Sequence, residues 1–293
     1  MSAVVLSDEA RSHNITFLHK GDGKWTMHIP SHCHLKEPIR ISVEESPVNL
    51  SIDVEEGACV TFVEIMENRW TSYAVHMAVG RMARVRFFSL NGAGGGTVEH
   101  KSILAHDAHV YWCNLTLACG EVEQTLVSTL KGDRAKSTID WAFYGKDSDR
   151  YILCARNIFE ARDGGGEVTL RGVAEGKAHL QCRGAIDIES GGSGTDTHLT
   201  EDMLVLDPTA KVDAVPALEI RTNDVKASHS ATVSRVTPEE LFYFGARGIA
   251  EQDARCMYID GFLKSVCERH ANPVWMKLVA DSLQKKYHSS SLR

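Results

Sequence analysis

Between Ile15 and Val236 apolar residues recur at every second position in short runs. Val48, Leu50, Ile52 and Val54 alternate with Asn49, Ser51 and Asp53, and Val75, Met77 and Val79 share a face opposite His76 and Ala78. Val168 with Leu170, and Ile186 with Ile188, behave likewise. A period of two belongs to a β-strand, whose side chains point alternately to opposite faces. Turn formers separate the runs, among them Gly120, Gly132, Gly145, Gly164 to Gly166, Gly176, Gly191 to Gly194 and Asp207-Pro208. Several are about 11 to 13 residues apart, as in a stack of similar β-units. No helical pattern longer than two turns interrupts them, which removes βαβ folds. A sandwich or barrel and a β-solenoid remain. Asp22-Gly23, Asn91-Gly92 and Asp163-Gly164 are the only hairpin-type dipeptides, and none sits between two clean alternating strands, which favours the solenoid.

The pattern changes at Thr237. Thr237-Pro238-Glu239-Glu240 reads as a capping box with proline at the first helical position. Leu241, Phe242 and Phe244 supply apolar mass, and Gly248 is expected to end this helix. A second helix is expected from about Glu251 to Arg269, with Ala254, Met257, Tyr258, Gly261, Phe262, Ser265 and Val266 as one small-and-apolar stripe. A third starts at Asn272-Pro273 and should bury Trp275, Leu278, Val279 and Leu283, with residues 288–293 fraying. The chain therefore divides into a mainly β core over 1–236 and a small α-helical domain over 237–293. The helices could cap the open sheet edge or dock a partner.

Composition narrows the class. The chain has 293 residues, 43% apolar and 24% charged, which suits a soluble globular protein. A net charge of −7 argues against a general nucleic-acid binder. The first residues do not resemble a signal peptide, and no apolar run is long enough to span a membrane, so a cytoplasmic protein is expected. The eight cysteines form no CxxC pair and read mostly as reduced core residues.

Candidate chemistry is sparse. Asn91 to Gly96 and Asp163 to Gly166 lack the following Lys-Ser/Thr of a phosphate loop and read as turns. There is no GxSxG or HExxH. His28, His32, Cys33 and His34 crowd together, and on a strand His32 and His34 would share a face, which could begin a metal site or form a polar edge. In 225–234, Val225, Ala227, His229, Ala231 and Val233 line one face, and Lys226, Ser228, Ser230, Thr232 and Ser234 the other. His229 thus sits on an apolar face, either as a buried core histidine or as a neutral metal ligand.

The same stretch carries a resemblance. Pro216-x-Leu218-Glu219-Ile220, Asp224-Val225-Lys226-x-Ser228-His229-x-Ala231-Thr232-Val233, Glu240 to Phe244 and Ala246-Arg247-Gly248-Ile249 are similar to the signature of the SufB/SufD family of iron–sulfur cluster assembly scaffolds. Ala254-Arg255, Gly261-Phe262, Ala155 to Phe159 and Thr195-Asp196 extend it, so that it is specific from about Asp140 to Val266. The resemblance implies a right-handed parallel β-helix with a C-terminal helical domain. It implies docking of a SufC-like ABC-type ATPase on that domain, here through Phe242, Tyr243, Arg247, Met257 and Phe262. It also implies pairing of two SufB/SufD-type chains, identical or not, through their last strands. A transient iron–sulfur cluster would sit at that junction, with His229 at the family histidine and Glu201 as a carboxylate neighbour.

The chain departs from the family's pattern. Ala227 stands where SufD-type chains have cysteine, Thr200 falls near the scaffold cysteine of SufB-type chains, and Ser228 and Ser230 replace flanking glutamates. Cys154 and Cys182 match no known ligand, and the chain is expected to lack the N-terminal helical domain of longer members. Thiolates are the usual cluster ligands. The alternative is therefore a structural or regulatory subunit that binds the ATPase and holds no cluster. A polysaccharide-active β-helix protein is a remote third reading. Any ATPase activity is expected in the partner, the chain itself being no enzyme.

Overall fold

The computed structural model describes residues 3–5, 12–43, 47–67, 72–92, 94–269 and 273–288. Ala93, Asn272 and 289–293, on which parts of the turn, helix-start and fraying expectations fall, lie outside the described residues.

The alternating runs form two long sheets joined strand by strand. Sheet A runs β1 (Ala3–Val5), β4 (Ile39–Val43), β6 (Cys59–Met66), β8 (Arg84–Asn91), β10 (His109–Thr116), β12 (Lys136–Gly145), β14 (Gly165–Ala174), β16 (Asp196–Val205) and β19 (Lys226–Arg235). Sheet B runs β2 (Thr16–His19), β3 (Lys24–Ile29), β5 (Val48–Val54), β7 (Ser72–Val79), β9 (Gly96–Leu104), β11 (Glu121–Leu130), β13 (Arg150–Phe159), β15 (His179–Ile188) and then β17 (Lys211–Ala214), with β18 (Ala217–Ile220) also paired to β15. Pairing is parallel throughout, except that β1 joins β4 and β2 joins β3 antiparallel. This is a parallel β-solenoid, as the turn chemistry suggested.

Register explains why a period-two pattern suffices. Lys136, Gly165, Asp196 and Lys226 lie in one column, so these coils take about 30 residues, whereas Cys59, Arg84 and His109 mark coils of about 25, and each coil gives one strand to each sheet. The shorter turn spacing in the sequence marks half-coils. Inward residues stack on inward residues: Val48, Leu50, Ile52 and Val54 lie beside Tyr73, Val75, Met77 and Val79, all buried. One glycine is compulsory at a coil-to-coil approach. Gly166 has φ +136°, and a Cβ there would collide with the Ser137 carbonyl.

The interior is largely apolar, with Phe87 stacked between Phe62 and Trp112 at centroid distances of 5.4 and 4.7 Å. Several of its polar members are hydrogen-bonded. Buried Glu64 accepts from Tyr73 and Ser89, each at 2.5 Å, and lies 3.0 Å from His100 Nε2.

Three helices follow: α1 (Pro238–Gly245), α2 (Glu251–Cys267) and α3 (Pro273–His288). The capping box at Thr237 and Glu240 forms as expected. Helix α1 stops at Gly245, and Gly248, at φ +79°, lies in the turn beyond it rather than at its end. His288, expected to fray, closes α3 with Nδ1 2.7 Å from the Gln284 carbonyl.

Helices α2 and α3 do not cap the end of the stack. Ile259, Leu263 and Cys267 of α2 and Trp275, Val279, Leu283 and Tyr287 of α3 pack on the outer face of sheet A, against Phe88, Leu90, Tyr111, Cys113, Leu115 and Tyr144. The expected stripe on α2 is also turned. Ala254 and Val266 are buried and Tyr258 and Phe262 half-buried, but Met257, Gly261 and Ser265 face outward. The branched residues Ile259 and Leu263 bury more apolar surface than glycine or serine could, and they set the rotation. Among the described residues no helix is long and apolar enough to cross a membrane.

Candidate functional site

The last strand positions the candidate site. Strand β19 pairs with β16 on one side, and its other edge lies at the end of the sheet. Its register puts Ala227 on Thr197, His229 on Leu199, Ala231 on Glu201 and Val233 on Met203. Each of those β16 partners is buried in the solenoid interior. The face deduced from sequence parity is therefore the inward-pointing one. No further coil covers it, so His229 and Ala231 are exposed and Val233 is 54% exposed. A buried core histidine at 229 is thereby excluded. On the opposite face Ser228 Oγ lies 2.7 Å from His198 Nδ1.

Glu201 and His229 do not share a surface. Glu201 is fully buried one strand deeper, beneath Ala231, while Thr200 points to the other face beside Ser230. The Glu201 carboxylate accepts from the Gly184 N–H at 2.5 Å through Oε1, and Oε2 is buried without a hydrogen-bond partner. Burial lifts this carboxyl to about 7, with the Gly184 hydrogen bond opposing.

The sign of the resulting pH dependence follows directly. In the unfolded chain Glu201 ionises near 4.5, whereas in the folded chain it holds its proton to about 7. Its contribution to stability is complete below the lower value and is lost as pH rises through the higher one. Thermal unfolding in metal-free buffer is expected to show Glu201→Gln gaining on the parent by about 2–3 kcal/mol between about pH 4.5 and pH 8. A difference that does not change with pH would contradict this.

Cys154 is half-buried and Cys182 buried, and neither approaches the end of β19 in register. Among the described residues no three His, Cys, Asp or Glu side chains gather to hold a metal ion. The His28 to His34 group is not one strand: His28 lies in β3 and pairs with Glu55 at 3.0 Å, His32 occupies a left-handed turn at φ 55°, and Cys33 is buried. Those positions diverge because the chain turns at Ser31-His32 between β3 and β4. Gly94-Gly95 and Asp163-Gly164 lie in the connections between strands, whereas Asn91 ends β8, Gly96 opens β9 and Gly165-Gly166 open β14.

The expected docking residues separate into two groups. Phe242 and Tyr243 of α1 and Met257 of α2 are 77, 56 and 53% exposed, large apolar side chains left uncovered on two successive helices. The Arg247 guanidinium lies over the Tyr243 ring, 3.6 Å from its centroid. Phe262 is half-buried instead, 5.4 Å below the Arg171 guanidinium.

Comparison with known proteins bears on what these features serve. The family model described as the SUF system FeS cluster assembly SufBD core domain matches residues 42–262. The chain belongs to the SufBD family. An iron–sulfur cluster assembly SufBD family protein of Mycobacterium leprae is 23% identical over 83% of this chain and 30% of its own length. One of Staphylococcus saprophyticus is 24% identical over 81% of this chain and 54% of its own length, and one of Mycobacterium bovis is 25% identical over 67% and 24%. The chain thus spans between a quarter and about half of these SufBD relatives. The matched region takes in the solenoid from β4 onward, the exposed last strand, α1 and most of α2.

Proposed function

We propose that this SufBD-family chain is a scaffold subunit for iron–sulfur cluster assembly, paired through β19 with a second SufBD-type chain and worked by an ABC-type ATPase. The observation that carries it is the exposed last strand. A ten-residue edge presents free backbone groups next to His229, and such an edge favours pairing with another strand. Two strands meeting there would bring His229 of one chain against the partner's end of stack. The imidazole would supply a neutral nitrogen ligand to iron. The cluster is cargo, built and passed on, and ATP hydrolysis belongs to the partner in the cytoplasm.

The ATPase is proposed to dock on Phe242, Tyr243 and Met257. Deleting the helical tail would not test this cleanly, because α2 and α3 also cover sheet A. Surface substitutions do. Phe242→Ala combined with Met257→Glu is expected to weaken copurification with the ABC-type ATPase by about tenfold or more, with an unchanged melting temperature. Undiminished binding would remove the docking assignment.

Anaerobic reconstitution with iron and sulfide tests the cluster. A visible absorbing species that His229→Ala removes is the expected result. One observation favours the second reading, a subunit that binds the ATPase and holds no cluster: Ala227 and Thr200 leave the end of the stack without a thiolate beside His229. An intact ATPase complex with no absorbing species would decide for it.

A further inference from the structure

Directly beneath the terminal strand the two sheets bring together three side chains that the cluster reading does not use. Strand β15 turns Cys182 inward, and β16 turns Glu201 and Met203 inward, all of them no more than 2% exposed. The Cys182 thiol points at the Met203 thioether, Sγ to Sδ 3.9 Å. Two sulfurs each about 2.3 Å from one ion and that far apart subtend an angle of about 116°, between tetrahedral and trigonal.

The carboxylate supplies the second, independent observation. Its Oε1 is satisfied by Gly184, but Oε2 is buried without a partner, and buried polar atoms rarely go unpaired. Two glycines let these side chains pack this closely. A Cβ at Gly184 would press on Leu199 and on Glu201 Oε1, and one at Gly172 on Phe143 and the Met203 sulfur.

We propose that Cys182, Met203 and Glu201 form a buried site for one thiophilic divalent metal ion, distinct from the exposed face of β19. Thiolate and thioether sulfur select soft and borderline ions. A thiolate and a carboxylate together balance two positive charges, and a dry interior penalises any charge left unbalanced. The floor is apolar, Leu153 lying under Cys182 and Leu170 under Glu201. The roof is thin: half-buried Ala214 lies over Cys182, and exposed Ala231 over Glu201. Ala214 of β17 and Ala231 of β19, with Val233 over Met203, are thus the last layer between the site and solvent at the open end, which gives an entry path. Binding displaces the proton that burial keeps on Cys182.

Cobalt(II) is the probe, because a thiolate bound to it gives a near-ultraviolet charge-transfer band. Anaerobic titration of the metal-free full chain should show this band saturating at about one ion per chain. Cys182→Ser should abolish it, and Met203→Leu and Glu201→Gln should each weaken binding by about tenfold or more. His229→Ala should leave it unchanged, so loss of the cluster and loss of this site can be told apart. No band in the parent chain, or a band that persists in Cys182→Ser, overturns the proposal. If Cys182→Ser does not fold by circular dichroism, undiminished affinity in the near-isosteric Met203→Leu overturns it instead. Copper(I) is the competing ion. Displacement of cobalt by copper(I) with no dependence on Glu201 would overturn the divalent assignment.

Discussion

Replacing Trp275 by alanine is expected to lower the unfolding free energy by about 3–5 kcal/mol, the usual cost of deleting a buried aromatic side chain from a core. Trp275 is fully buried where α3 meets sheet A, with its ring centroid 5.3 Å from that of Phe88. Val279 and Leu283 continue the same buried face along α3. The vacated volume cannot close, because the sheet beneath is fixed by parallel pairing on both sides of β8. Urea titration of the variant should show the loss as a lower midpoint with an unchanged slope. A loss below about 1 kcal/mol would mean that the helical tail is only loosely seated.

Lys286→Ala is the second large effect. Lys286 is 5% exposed, and its ammonium donates to Asp149 at 2.7 Å and to the Ala118 carbonyl at 2.6 Å. Without it Asp149 stays buried, held by the backbone N–H groups of Gly120 and Lys146 but with no cation at that position. Breaking one side of a buried ion pair costs about 3–5 kcal/mol, and those two donors place the expectation at the lower end. Combining Lys286→Met with Asp149→Asn removes both charges and should recover at least half of the loss. A double variant no better than Lys286→Ala would show that packing of the lysine stem, rather than the charge pair, carries the cost.

The course of the solenoid could be read from strands such as β5 and β7, whose buried and exposed positions alternate without exception in the apolar residues. Parity also located the inward face of β19. What it could not show was that the stack ends there, since burial depends on a neighbouring coil and not on the strand itself. The seat of α2 and α3 had a signal that went unused. Alternation fails in β8 at Phe87-Phe88 and Leu90, and in β10 at Val110 to Cys113, where consecutive residues are buried. A strand buried on both faces must have something lying on its outer side. The turned face of α2 was hidden because glycine and serine were counted with the apolar positions. Met203 was overlooked for a related reason: a thioether reads as core filling until a thiol and a carboxylate are found opposite it. The depth of Glu201 depends on its register with β19, which no local pattern encodes.

The two ends of the stack are unlike, and this limits how copies can associate. At the N-terminal end β1, three residues long, and β2, four residues long, run antiparallel to their neighbours and make a short, reversed edge. At the other end β19 offers ten residues. A contact joining unlike ends would leave a free end on every copy and would propagate into a fibre, but it must match a long edge to a short reversed one. A contact between like ends uses the long edge on both sides and leaves none over. On the proposed pairing through β19, the chain's own asymmetry would stop assembly at two.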